Sequence, residues 1–173
     1  MLVRVGINLE QALGSAEGIP DQKQEDLGNF RILTRDGNTM TIFMRLQNKA
    51  IVTVTYNSEH RVQTDRLGEA AALRTSRTTR MAEVVDAGSP KERELPEGQG
   101  RGFLWHMNSF WRFKAMDGGV LVECESLTLS RDIPYGIRFL AHPIIDHMAK
   151  TAMSDLLTSF RDRFTGLARQ STP

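Results

Sequence analysis

GFLWHMNSFWRFKAMDGGVLVECESLTLS, residues 102–130, decides how this chain folds. Two runs rich in aromatic and β-branched side chains flank Asp117-Gly118, a pair suited to a tight two-residue hairpin turn. With the turn there, Phe113 faces Val122, Trp111 faces Cys124, Ser109 faces Ser126, Met107 faces Thr128 and Trp105 faces Ser130. On the other side Arg112 faces Glu123, Phe110 faces Glu125 and Lys114 faces Leu121. Strand side chains alternate with period two, so a slip of one residue would exchange the faces. The first set carries no charge, whereas the second carries an exposed ion pair worth about 0–1 kcal/mol. The uncharged set is therefore expected to face inward, against a helix or a ligand.

Upstream, further turn signals recur at hairpin spacing. Asp36-Gly37 precedes a run from Thr39 to Leu46, and IVTVTY (51–56) follows the polar break at 47–50. Leu67-Gly68 marks the next break before Ala70–Val85. Successive strands without a helix-length pattern between them predict an antiparallel meander from about residue 30 to 131. In the first hairpin neither face is clearly apolar, because Arg45 is expected on the side of Phe43, Val52, Val54 and Tyr56. Residues 14–28 read as a solvated connection or weak helix, and residues 86–102, with four glycines, as a long loop. Beyond 131 the period changes. Asp132-Ile133-Pro134 offers a helix start, and from Pro143 to about Leu167 apolar positions recur on half of a helical wheel. One long amphipathic C-terminal helix lying on the sheet is expected there.

The chain has 173 residues, 40% hydrophobic and 25% charged, enough for one globular domain with its own core. A formal charge of +1 provides no field to draw it onto nucleic acid. One cysteine excludes an intrachain disulfide framework. No apolar run is long enough to span a bilayer, and the start does not read as a signal peptide. A cytoplasmic location is expected if the chain start is genuine, and export if an N-terminal signal has been lost.

The candidate chemistry is sparse. His60, His106, His142 and His147 fall in no metal-ligand spacing, so neither a metal nor a cofactor is expected. Cys124 reads as a buried, inert thiol, and Glu123 and Glu125 as outward residues beside Arg112. Arg74, Arg77 and Arg80 read as a solvated basic stripe offset by Glu92, Glu94 and Glu97, with Arg77 on the face opposite the other two. Large rings at Trp105, Trp111 and Phe113 surround small hydroxyls at Ser109, Ser126 and Thr128. That size profile fits either a filled core or an apolar pocket with a few polar anchors, and the pattern alone favours the filled core.

RLQNKAIVTVTYNSEH (45–60), SRTTRMAEV (76–84), GFLWHMNSFWRF (102–113) and DGGVLVECESLTLSRDIP (117–134) resemble the START-like, or helix-grip, superfamily of lipid-transfer domains and polyketide cyclases. The resemblance implies one α+β domain over 1–173: an N-terminal segment (1–28), an antiparallel sheet (29–131) curved around a C-terminal helical segment (132–167), and an apolar tunnel between them. It reverses the order of the two readings in favour of a cavity. The N-terminal strand and helices of the family are expected to be reduced or missing. Ligand-binding residues would be Trp105, Met107, Ser109, Trp111, Phe113, Cys124, Ser126 and Thr128 from the sheet, with Met153 and Leu156 from the helix. A non-enzymatic carrier of a hydrophobic small molecule (a lipid, isoprenoid or polyketide-like compound) ranks first. A cyclase or hydratase ranks second, and a protein-interaction module third. Neither nucleic acid nor a membrane span is expected, and the oligomeric state stays open.

Overall fold

A computed structural model describes residues 2–17, 30–49, 53–102 and 104–130, together with Lys150, Thr151, Ser154, Asp155, Leu157, Thr158, Arg161 and Asp162. The elements are β1 (Leu2–Val5), α1 (Leu9–Glu17), β2 (Phe30–Asp36), β3 (Thr39–Lys49), β4 (Thr53–Arg66), β5 (Ala71–Val85), β6 (Arg93–Glu94), β7 (Leu104–Met116) and β8 (Gly119–Ser130). They form one eight-stranded sheet in the order β1-β8-β7-β5-β4-β3-β2, with β6 attached to β5. All pairings are antiparallel. The meander from β2 to β8 follows the turn signals of the sequence, and β1 closes back on β8.

The decisive hairpin has the expected register from Met107↔Thr128 to Met116↔Gly119, with Asp117-Gly118 at the turn. At its far end a bulge at Trp105 intervenes, and Leu104 rather than Trp105 stands opposite Ser130. In the first hairpin Lys49 pairs with Thr53 and Leu46 with Tyr56. Three residues separate the strands, so Val54 and Tyr56 share a face with Ile42, Met44 and Leu46 rather than with Arg45. That register removes the ambiguity of the sequence reading.

The fold-class expectation is corrected in two respects. Among the described residues the protein is sheet-dominated, and its one continuous helix is the short α1, at the opposite end of the chain from the long helix expected over 143–167. The eight described positions between 150 and 162 have helical backbone, but the rest of that span, with Met153 and Leu156, lies outside the described residues. Secondly, the N-terminal strand and a helix are present. Asn8 caps α1 by accepting the Gln11 N–H at 2.8 Å, while the Gln11 side-chain oxygen accepts the Asn8 N–H at 3.0 Å. This reciprocal capping satisfies two backbone donors at the helix start. Ile7, Leu9, Ala12 and Leu13 then pack on Ala72, Phe113, Val120 and Val122. Burying Phe113, 1% exposed, contributes roughly 2–3 kcal/mol.

Candidate functional site

The strand registers define one continuous inner face, the one covered at one end by α1. Across it run Ile42 of β3, His60 and Val62 of β4, Ser76 and Thr78 of β5, Ser109 of β7 and Ser126 of β8. Apolar residues dominate the two sides. Met40, Ile42 and Val62 form one buried cluster, and Val54, Tyr56 and Met81 form another. Between them lie the Ser58 and Thr78 hydroxyls and the His60 imidazole.

Arg74 stands on the same face beyond Val62, toward α1. It is 5% exposed, donates from Nε to Thr64 Oγ1 at 2.8 Å and from Nη2 to the Leu13 carbonyl at 3.1 Å, and lies 5.8 Å from the Phe113 ring centroid. It thus ties α1 to the sheet. The expected basic stripe is corrected here. A bulge at Thr79, where Glu59 pairs with Arg80 but His60 with Thr78, turns Arg80 outward to join Arg77 and leaves Arg74 inside.

His60 is fully buried, with Nε2 3.1 Å from Ser58 Oγ and Nδ1 3.4 Å from Thr78 Oγ1. Ser58 donates to the Met44 carbonyl at 3.1 Å and Thr78 to the Met107 carbonyl at 2.9 Å. These four contacts have three protons to share when the imidazole is neutral, which matches one contact being long. Burial pushes the His60 pKa down to about 4, so the ring is neutral near pH 7. Both ring nitrogens face protein hydroxyls, which orients the ring and keeps it from direct work on a ligand.

Thr78 also marks where β7 leaves β5. Backbone pairing between them ends at Ser76↔Ser109. There the Thr78 hydroxyl accepts the Met107 N–H at 2.9 Å, and Asn108 Oδ1 accepts the Thr78 N–H at 3.0 Å. Side chains replace the ladder and hold the strands farther apart than backbone bonds would. Beyond this point a cavity of about 260 Å³ opens. Its walls are Thr79, Arg80, Met81 and Glu83 of β5, Leu104, Trp105 and His106 of β7, Tyr56 of β4, and the loop at 97–102. The loop is held closely: Glu83 accepts the Gly102 N–H at 2.7 Å, and the Leu104 N–H lies 3.3 Å from the Tyr56 hydroxyl. A Cβ on Gly102 would overlap that hydroxyl.

On the outer face, the 86–102 loop is fastened by charge. Arg45 pairs with Glu92 through two hydrogen bonds of 2.9 and 2.7 Å, and holds its carboxyl down at about 2 with help from the Gly88 N–H. Arg80 bonds Glu94 and lies 3.8 Å from Glu59 and 3.9 Å from Glu97, while Asn57 donates to Glu94 at 2.7 Å. The Arg80 guanidinium and the Asn57 amide hold Glu94 below the usual carboxylate range.

Of the residues singled out by sequence, Trp105 lines the cavity and is 47% exposed. Phe113 is packed under α1, with Trp111 against the same cluster, and Trp111 donates from Nε1 to Ser109 Oγ at 3.1 Å. Cys124 is buried, which pushes its pKa up to about 11. Met107 and Ser109 are half-buried, whereas Ser126 and Thr128 are exposed. Arg112 lies 3.2 Å from Glu123 and 3.6 Å from Glu125 on the outer side. His106 is exposed, and His142 and His147 lie outside the described residues. Among the described residues there is no cluster of potential metal ligands and no helix long and apolar enough to cross a membrane. Sequence reasoning did not place Tyr56, His60, Arg74 and Glu83 inside, because their burial depends on strand register and on partners in other elements.

No family model matches the chain, and no curated protein matches it either. Among solved structures it is similar to the Zhui aromatase/cyclase from Streptomyces sp. R1128. The TM-score is 0.53 at 14% identity, over 94% of this chain and 92% of that one. At that identity the likeness is one of fold: the chain shares the architecture of that aromatase/cyclase.

Proposed function

We propose that this chain is a START-like protein that binds a hydrophobic small molecule, a lipid, isoprenoid or polyketide-like compound, along the inner face of its sheet. The observation that carries the reading is the cavity at the parting of β5 and β7. Its Tyr56, Met81 and Leu104 walls belong to the inner face and so connect it to that face's apolar and hydroxyl-bearing side chains. At about 260 Å³ it is smaller than a drug-sized pocket of ~300–1,000 Å³, so it would seat one end of a ligand. Met107, Ser109 and Trp111 would lie along the remainder, with Ser126 and Thr128 at its margin. Affinity would come from buried apolar area at roughly 25 cal/mol per Å². The test is to incubate purified protein with a lipid extract, remove unbound material and record native mass spectra. A retained small-molecule mass is expected, together with energy transfer from tryptophan to a bound hydrophobic dye. Protein with no retained mass and unchanged tryptophan emission would sink the reading.

The second reading is a cyclase, favoured by the likeness of fold to a protein titled aromatase/cyclase. The engagement of both His60 nitrogens within the protein weighs against it, because an acid or base must reach the proton that it moves. Turnover of a poly-β-ketone substrate by wild type, lost in Ser109→Ala or Trp111→Ala, would promote it over the carrier.

A further inference from the structure

Glu83 is an unusual wall for an apolar cavity. Only 8% of it is exposed, yet among the described residues its carboxylate accepts a single hydrogen bond, from the Gly102 N–H. A carboxylate can accept about four, and a buried one is costly unless its charge is met. The cation in the same cavity does not meet it. Arg80 is turned to Glu94, Glu59 and Glu97, three carboxylates for one guanidinium. Arg101 lines a second cavity, of about 460 Å³, which Glu83 also borders, and it makes no ion pair with Glu83 among the described residues. The lining of the first cavity therefore carries Glu83 and Glu97 against Arg80, an excess of one negative charge.

The same cavity is lined by an indole. Trp105 occupies the bulge of β7, and its ring is the large exposed apolar surface in the wall. A negative charge and an aromatic face in one small cavity both favour a cation, the first by Coulomb attraction and the second through the ring quadrupole. The volume admits a single ring with a short arm. Building on the binding reading above, we infer that the cavity between β5 and β7 takes a small arylalkylamine, its protonated nitrogen on Glu83 and its ring against Trp105. The amine would supply the hydrogen bonds that the Glu83 carboxylate lacks, and the Tyr56 hydroxyl borders the same space.

Three probes that share a phenyl ring on a two-carbon arm and differ in charge test this: phenethylamine (cationic at pH 7), 2-phenylethanol (neutral) and 3-phenylpropionate (anionic). Each is titrated into wild type and Glu83→Gln while the Gly102 amide resonance, whose proton sits on Glu83, is followed by NMR. Phenethylamine is expected to bind wild type at least tenfold more tightly than phenylethanol, and phenylpropionate more weakly than either. Glu83→Gln should abolish the amine's advantage and leave phenylethanol within about twofold. Equal binding of all three probes to wild type would overturn the inference while leaving apolar binding in place. The wild-type comparison decides even if the variant misfolds. If no probe shifts Gly102, the cavity is not a binding site, and both readings fall.

Discussion

His60 should make this protein acid-labile in a defined window. In the unfolded chain its imidazole titrates near 6.5, but in the fold burial holds it down to about 4. As the pH falls through 6.5 the unfolded chain takes up the proton first, so stability that is complete above 6.5 is lost progressively down to about 4 and changes no further below that. The gap corresponds to about 3 kcal/mol, a large part of a typical domain's ~5–15 kcal/mol. It is an upper figure, because a protonated ring would fill the 3.4 Å contact to Thr78 that the neutral ring leaves long. Urea unfolding at several pH values between 7.5 and 4 measures the loss. In His60→Gln that portion of the slope should vanish, although the variant starts from lower stability at pH 7.5. The Glu92 carboxyl, held at about 2 by Arg45, contributes its own acid loss mostly below this window, so the two are separable. A His60→Gln variant with an unaltered slope between pH 6.5 and 4, or an NMR titration of the wild-type imidazole centred near 6.5, would refute the reasoning.

The Cys124 thiol, buried and raised to about 11, should resist thiol reagents at pH 8 in the folded protein and react at once in urea. Fast labelling of native protein would contradict its placement. Gly102→Ala should lower stability by about 1–3 kcal/mol through overlap with the Tyr56 hydroxyl. The Tyr56→Phe/Gly102→Ala double variant should recover part of that loss in urea melts, and strict additivity would count against the contact. Thr78→Val removes the hydroxyl that serves both the Met107 N–H and carbonyl, and should cost about 1–3 kcal/mol. Hydrogen exchange at the Met107 amide should accelerate in that variant, and unchanged protection there would show that the hydroxyl does not bridge the strands.

What was legible in the sequence was local. The turn at Asp117-Gly118 and the two-residue alternation fixed the β7–β8 register, and with it the outward position of Glu123 and Glu125 beside Arg112. The capping pair Asn8 and Gln11 was there to be read as well, three residues apart ahead of an apolar helix face. What escaped depends on single inserted residues. A bulge has no signature in the side chains around it, but it reverses the face of everything that follows. Arg80 points outward because Thr79 is extra, and Tyr56 points inward because Lys49 pairs with Thr53 across three residues. Arg74 and Glu83 could not be placed inside from composition, because charged residues are rarely buried and their partners, Leu13 and Gly102, lie 61 and 19 positions away.

The same irregularities account for the cavity. The bulges at Thr79 and Trp105 sit on the two strands that part beyond Thr78, and both residues line the space between them. A bulge bends its strand and increases the local twist, so one on each side widens a gap that regular pairing would have closed. The Thr79 bulge also exchanges what the gap sees. Without it Arg80 would stand on the inner face and Met81 and Glu83 on the outer one, reversing the alternation. With it, Met81 and Glu83 join Tyr56 and Leu104 on the inner side, and Arg80 is delivered to the acidic loop that roofs the space. The features that make this region a site (its width, its carboxylate and its exposed indole) thus share one structural cause. A sheet of the same order without the two extra residues would keep the core under α1 and lose both the cavity and the Met81 contact with Val54 and Tyr56.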